Sequence, residues 1–273
     1  MKKTFLLLIS LLVTLGGFAN RIPVASNSEL TTALSSAATG DTLILATGSY
    51  NYFNIPSGKV ITVMALDTAT ATFSGQFGVA TPVAKGTAIT FEGLKFNGGG
   101  STSSGKYFMS TSFEGTLDSL VFKNCLLDGY TRCLLNWSGC DPTKSGLTKL
   151  RIENCILNNF GSATYNMIWT SAPIDVIEIV DNTIYNSMSG AKPESVFSTK
   201  TAPTDNRSVK LIFKHNTYYS GSRTDKTAYS YPMFNFTSFY KGESSTVDIS
   251  DNIIYCPASG FNPNYLLSIK AGW

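Results

Sequence analysis

Six stretches of the chain share one alternation of apolar and polar positions. ITFEGLKFNG (89–98), LVFKNCLLDG (120–129), LRIENCILNN (150–159), IEIVDNTIYN (177–186), LIFKHNTYYS (211–220) and VDISDNIIYC (247–256) align without gaps. Their first column is Ile89, Leu120, Leu150, Ile177, Leu211 and Val247. The third is Phe91, Phe122, Ile152, Ile179, Phe213 and Ile249, and the eighth is Phe96, Leu127, Leu157, Ile184, Tyr218 and Ile254. All are large and apolar, while columns two and four are mixed and mostly polar. Each phrase therefore predicts a strand with one buried face. The fifth column holds Gly93, Asn124, Asn154, Asp181, His215 and Asp251. These residue types accept positive φ more readily than others, so one of them between two short strands predicts a sharp bend. The sixth column runs Leu94, Cys125, Cys155, Asn182, Asn216, Asn252, and stacked asparagines there predict a side-chain amide ladder.

A second repeated strand follows each bend: KYFMSTS (106–112), CLLNWS (133–138), NMIWTS (166–171), SVFSTK (195–200), PMFNFT (232–237) and YLLSIK (265–270). The bend residues lie 31, 30, 27, 34 and 36 positions apart. A constant coil of three short strands joined by loops of variable length accounts for that unevenness. The fold class is all-β: a single-stranded right-handed parallel β-helix. An immunoglobulin-like sandwich also has many short strands but gives no ungapped columns of this kind. Ahead of the repeats, SNSELTTALSSAA predicts a short helix capped by Asn27 or Ser28, with Leu30, Ala33 and Leu34 on its apolar face, covering the open end of the core. GDTLILATGSY and KVITVMAL then supply the first strands. The chain stops at Trp273, directly after a strand, which predicts further C-terminal coils or a capping partner beyond it.

Residues 1–19, MKKTFLLLISLLVTLGGFA, combine two lysines, a short apolar run and small residues at Gly17 and Ala19. That is the form of a cleaved export signal, leaving 20–273 as one β-helix domain. The apolar run falls short of the roughly 20 residues that span a bilayer, so no transmembrane segment is expected after cleavage. The sequence has 21 Lys+Arg against 18 Asp+Glu; losing Lys2 and Lys3 leaves 19 against 18, a mature charge of about +1. Such a balance draws no nucleic acid. Five cysteines cannot all pair within the chain. Cys125 and Cys155 occupy an inward column on adjacent coils, as packed thiols or as a bridge near the short end of the allowed range. Cys133 and Cys140 flank a short loop and are expected to be able to pair after export. No His/Cys spacing suggests zinc.

The opening ALSSAATGDTLILATGSYNYFNI, followed by ITVMAL and ITFEGLKF, resembles the start of secreted pectate-lyase-like (pectin-lyase fold) β-helix proteins. It is nearest to polysaccharide lyase family six, the chondroitinase B and alginate lyase type, and to uncharacterised exported bacterial β-helix proteins. The resemblance implies cleavage of acidic polysaccharides by β-elimination. A lysine on an outer strand face takes the sugar C5 proton, an arginine on the next coil assists, and acidic side chains hold Ca2+ against the substrate carboxylate. In SVFSTK, Lys200 stands in the place of that lysine. Ser195 stands where the family has a calcium-binding glutamate, with Glu194 one residue away, and a one-residue shift turns a strand side chain to the other face. Asn235 takes the arginine's position. The incomplete set favours binding over cleavage.

Alternation predicts that the second strand turns Ser110, Asn136, Trp169, Ser198, Asn235 and Ser268 outward, with Lys200 and Lys270 two residues further on. This face reads either as a polysaccharide surface, amides bonding hydroxyls beside an aromatic ring, or as an ordinary polar sheet with Trp169 packed under a loop. His215, the single histidine, is expected to be a bend residue. Tyr185, Tyr219 and Tyr255 are expected to stack on another face as lateral packing. The expected function is that of an exported, polysaccharide-engaging protein, with a Ca2+-dependent lyase and a structural or adhesive spacer as alternatives.

Overall fold

The computed structural model describes residues 19–99, 107–159, 166–185, 196–200, 207–219, 233–236, 242, 244–255 and 267–269. The chain winds as a right-handed parallel β-helix of three sheets. Among the described residues the first sheet has nine strands, from Arg21–Val24 to Thr246–Ser250, and carries columns one to four of the repeat. The second has eight, from Gly48–Asn51 to Ile253–Tyr255, each entered through a bend. The third has six, from Tyr107–Ser110 to Leu267–Ile269. Earlier coils extend this third face through Asn54–Ile55 and Gly78–Val79, which pair with each other and join it by a bridge from Phe77 to Met109.

Register follows the columns residue for residue. Leu120 pairs with Ile89 on one side and Leu150 on the other, then Leu150 with Ile177, Ile177 with Leu211 and Leu211 with Val247. Parallel pairing without slip is what a buried face enforces, since a one-residue shift would turn every apolar side chain to solvent. The bend residues Gly93, Asn124, Asn154, Asp181, His215 and Asp251 all have φ between 50° and 66°. A left-handed residue reverses the chain within one position, and for residues other than glycine it is tolerated best by Asn, Asp and His.

Inside the bend the amides form the expected ladder. Asn182 Nδ2 donates to Asn216 Oδ1 at 3.0 Å, and Asn216 Nδ2 to Asn252 Oδ1 at 3.1 Å. Each carboxamide oxygen also accepts the backbone N–H of the coil before it: Cys155 N to Asn182 at 2.8 Å, Asn182 N to Asn216 at 3.0 Å, Asn216 N to Asn252 at 2.8 Å. One coil before Asn182, Cys155 Sγ takes over that acceptor role for Cys125 N–H at 3.3 Å. The thiols are packed, not bridged, and burial pushes that of Cys125 well above its ordinary range.

Phenylalanines fill the early core. Phe77 stacks on Phe108 at 4.8 Å and Phe91 on Phe122 at 5.5 Å, as coil lies on coil. Helix Asn27–Ser36 buries Leu30, Ala33 and Leu34 against the end of this core. Its N-cap is Ser26, not Asn27 or Ser28. Ser26 Oγ accepts Glu29 N–H at 3.2 Å, and Glu29 Oε2 accepts the N–H of Ala25, one residue before the cap, at 2.6 Å, a shifted form of the capping box. Asn27 instead joins the helix to the second sheet, its Oδ1 accepting Asn51 N–H at 2.6 Å. The first sheet also begins earlier than the pattern indicates, with Arg21–Val24 paired to Thr42–Leu45.

The pairing that the spacing of Cys133 and Cys140 allowed does not occur; both are free and buried. Cys133 opens the strand Cys133–Trp137, and Cys140 N–H bonds back to Trp137 O at 3.0 Å, beyond the strand's far end. Four strand steps of about 3.3 Å hold the two Cα atoms much further apart than the ~7 Å a disulfide spans.

Candidate functional site

In the third sheet the inward positions are apolar or small: Leu135 and Trp137, Ile168 and Thr170, Phe197 and Thr199, Phe234 and Phe236, all buried. The residues between them face out and fall into one file. Ser110 pairs with Asn136, Asn136 with Trp169, Trp169 with Ser198, Ser198 with Asn235 and Asn235 with Ser268. The sequence-predicted Asn136, Trp169, Ser198 and Asn235 thus lie side by side on successive coils, about 4.8 Å apart. Lys270 and Glu194 lie outside the described residues.

Much of the file's polarity is spent within it. Asn136 Nδ2 donates to Ser110 Oγ at 3.1 Å, while its Oδ1 accepts Ser138 Oγ at 2.8 Å. Asn235 Nδ2 donates to Ser198 Oγ at 3.4 Å, and Ser198 is buried at 5% exposure. Trp169 is half-buried, with Lys200 Nζ 5.6 Å from its ring centroid. That amine also donates to Ser138 O at 3.2 Å, crossing the tryptophan's coil to reach it. The lysine therefore braces the indole through a cation–π contact and a charge-assisted hydrogen bond. To act on a substrate proton it would have to leave both.

The described part of this face offers amides, hydroxyls, an indole and one ammonium, and no carboxylate. Among the described residues no three His, Cys, Asp or Glu side chains come together as a cation site. His215 lies in the bend, its Nδ1 3.4 Å from Asp181 and its Nε2 3.7 Å from Asp251, all three well exposed. Tyr185, Tyr219 and Tyr255 pair in register on the second sheet, and Tyr219 stacks on Tyr255 at 5.6 Å.

A second concavity escaped the sequence pattern. Where the second sheet turns into the third in the early coils, a cleft of about 350 Å³ opens between Tyr52 and Tyr107. Tyr52, Gly75 and Gln76 all lie ahead of the first aligned phrase, which begins at Ile89. The glycine run 98–100 after Asn97 was the available sign of close backbone approach: a Cβ on Gly98 would lie 2.4 Å from Gly129 O.

Fold and file together define a right-handed parallel β-helix protein with a polar, tryptophan-bearing sheet face. The chain belongs to the family described as Domain of unknown function (DUF4957), whose model matches residues 48–187. No curated protein matches the sequence. Among solved structures it is similar to the PL6 family alginate lyase AlyGC, with a TM-score of 0.50 and 14% identity over 88% of this chain. A point mutant of that enzyme gives 0.51 and 13% over the same share. The chain spans 40% of the length of these structures, and at such identity the likeness is one of fold.

Proposed function

We propose that this protein is exported and engages a polysaccharide along the outward face of the third sheet, binding it without cleaving it. The observation that carries the reading is the single file Ser110–Asn136–Trp169–Ser198–Asn235, in which mutually hydrogen-bonded amides and hydroxyls flank a half-buried indole. Its internal bonding makes a preorganised surface, and a glycan running along the helix axis would meet equivalent positions on successive coils. The fold shared with an alginate lyase supports a polysaccharide as ligand. The departures at Ser195 and Asn235, with Lys200 occupied by Trp169 and Ser138, favour binding over β-elimination.

A glycan array probed with the full chain and with Trp169→Ala tests this. Retention of a defined glycan class that is lost or weakened at least about tenfold in the variant is the expected result. Retention unaffected by Trp169→Ala, or none at all, refutes it, and the latter leaves a structural or adhesive spacer. The lyase alternative, with Lys200 as base and Glu194 as a calcium ligand, rests on the exposed lysine sharing this face. It requires near-ultraviolet absorbance from unsaturated products on uronic-acid polymers with calcium present, abolished in Lys200→Ala.

A further inference from the structure

We infer that the cleft between Tyr52 and Tyr107 is a second carbohydrate site, separate from the Trp169 face, and that it takes a neutral pyranose. Its volume, about 350 Å³, lies at the small end of the roughly 300–1,000 Å³ usual for small-molecule sites. The side chains lining it are Tyr52, Ser74, Gln76, Asn97, Tyr107 and Tyr130, with glycine backbone at 75, 98 and 99. None of them is charged.

Each aromatic wall is set in place by a specific contact. Tyr52 lies against Gly75, where an added Cβ would come within 2.4 Å of its Cδ1, so the absence of a side chain at 75 is what admits the ring. One side of the ring is thereby backed by main chain, yet Tyr52 remains 55% exposed. Tyr130 forms the buried floor, its hydroxyl donating to Gly75 O at 3.2 Å. Arg132 Nη1 donates to Tyr107 Oη at 2.9 Å, with the guanidinium 5.8 Å from the ring centroid, which fixes the opposite wall. The amides are half-used. Gln76 Nε2 is bound to Ser110 O at 2.9 Å and Asn97 Oδ1 to Gly99 N–H at 2.8 Å. Among the described residues this leaves Gln76 Oε1 as an acceptor and Asn97 Nδ2 as a donor, each without a protein partner.

An exposed aromatic ring on rigid backing, with one donor, one acceptor and flanking hydroxyls, complements a sugar ring. The apolar C–H face of a pyranose covers the tyrosine, and each ring hydroxyl both donates and accepts. Among the described residues the lining side chains carry no charge and the Arg132 guanidinium is already engaged with Tyr107, so a uronate would lose carboxylate hydration without an ion pair to these side chains in return.

The test is calorimetric titration of the full chain with gluco-, manno-, galacto- and xylo-configured trisaccharides and with the matching uronic-acid trisaccharides. A neutral trisaccharide should bind better than its uronate. Tyr52→Ala and Gln76→Ala should weaken it about tenfold or more, and Tyr52→Ala should do so at an unchanged unfolding midpoint because that ring is exposed. The inference is overturned if no neutral trisaccharide binds, if uronates bind better, or if neither variant weakens binding. It is overturned equally if Trp169→Ala abolishes binding that Tyr52→Ala retains. Failure here leaves the glycan-array result on the Trp169 face untouched.

Discussion

Replacing Asn216 by leucine probes what holds successive coils in register at the bend. The Asn216 carboxamide is 1% exposed and makes four hydrogen bonds: Oδ1 accepts Asn182 N–H and Nδ2–H, and Nδ2 donates to Ile179 O at 2.8 Å and Asn252 Oδ1 at 3.1 Å. Leucine fits the column, since Leu94 occupies it in an earlier coil, so a steric penalty is not expected. What leucine removes is the acceptor for Asn182 N–H, in a residue 2% exposed, where an orphaned donor costs about 1–3 kcal/mol. Asn182 Nδ2 keeps its bond to Ile152 O and Asn252 Oδ1 its bond from Asn216 N–H, so these and the lost donor to Ile179 O add a few tenths to about 1 kcal/mol each. The sum is about 3 kcal/mol. Asn216→Cys is the discriminating companion. It leaves more empty volume than leucine but restores a sulfur acceptor of the kind Cys155 offers Cys125 N–H at 3.3 Å. If polar satisfaction decides, cysteine is the milder change by about 1 kcal/mol; if filled volume decides, leucine is milder. Urea unfolding followed by circular dichroism, compared at unchanged slope, reads the order directly. Leucine more stable than cysteine, or within about 1 kcal/mol of the parent, would falsify the ladder argument.

Two further expectations come from other faces of the coil. His215 has φ 53°, so His215→Val should cost about 1–2 kcal/mol and His215→Asn almost nothing, read as melting-temperature shifts. Equal shifts would mean that the histidine matters for its contacts with Asp181 and Asp251, not for its backbone. On the first sheet, Arg151 hydrogen-bonds Glu153 at 3.0 Å and Glu178 at 2.5 Å, and Lys149 reaches Glu178 at 2.9 Å. The Arg151 hydrogen bond holds the Glu153 carboxyl below its ordinary value. For Glu178 burial works upward but is outweighed by the hydrogen bonds from Lys149 and Arg151. Because both folded values lie below the unfolded value of about 4.3, their stabilisation is whole above that pH and drains away as pH falls through the folded values. Melting temperature should therefore drop on acidification below about pH 4.5, and drop less steeply in Arg151→Gln. Identical acid profiles for the two proteins would refute this.

Much of the coil was legible in the residue order because a β-helix converts long-range contacts into local periodicity. The first, third and eighth columns are core because alternation puts them there, and Gly, Asn, Asp and His at the fifth report a backbone requirement that other side chains meet poorly. The outward file from Ser110 to Asn235 followed from the same period of two. The sequence could not reveal which polar groups in that file are already satisfied. That depends on distances between coils, and it is why Lys200 turns out to brace Trp169 and Ser198 to lie buried. Nor does spacing along the chain measure spacing in space: the seven positions from Cys133 to Cys140 suggested a bridge until an extended strand was seen to keep the thiols apart. The cleft at Tyr52 was least legible of all. It draws residues from four consecutive coils and owes its shape to Gly75, and a concavity made by neighbours in space leaves no period in the chain that builds it.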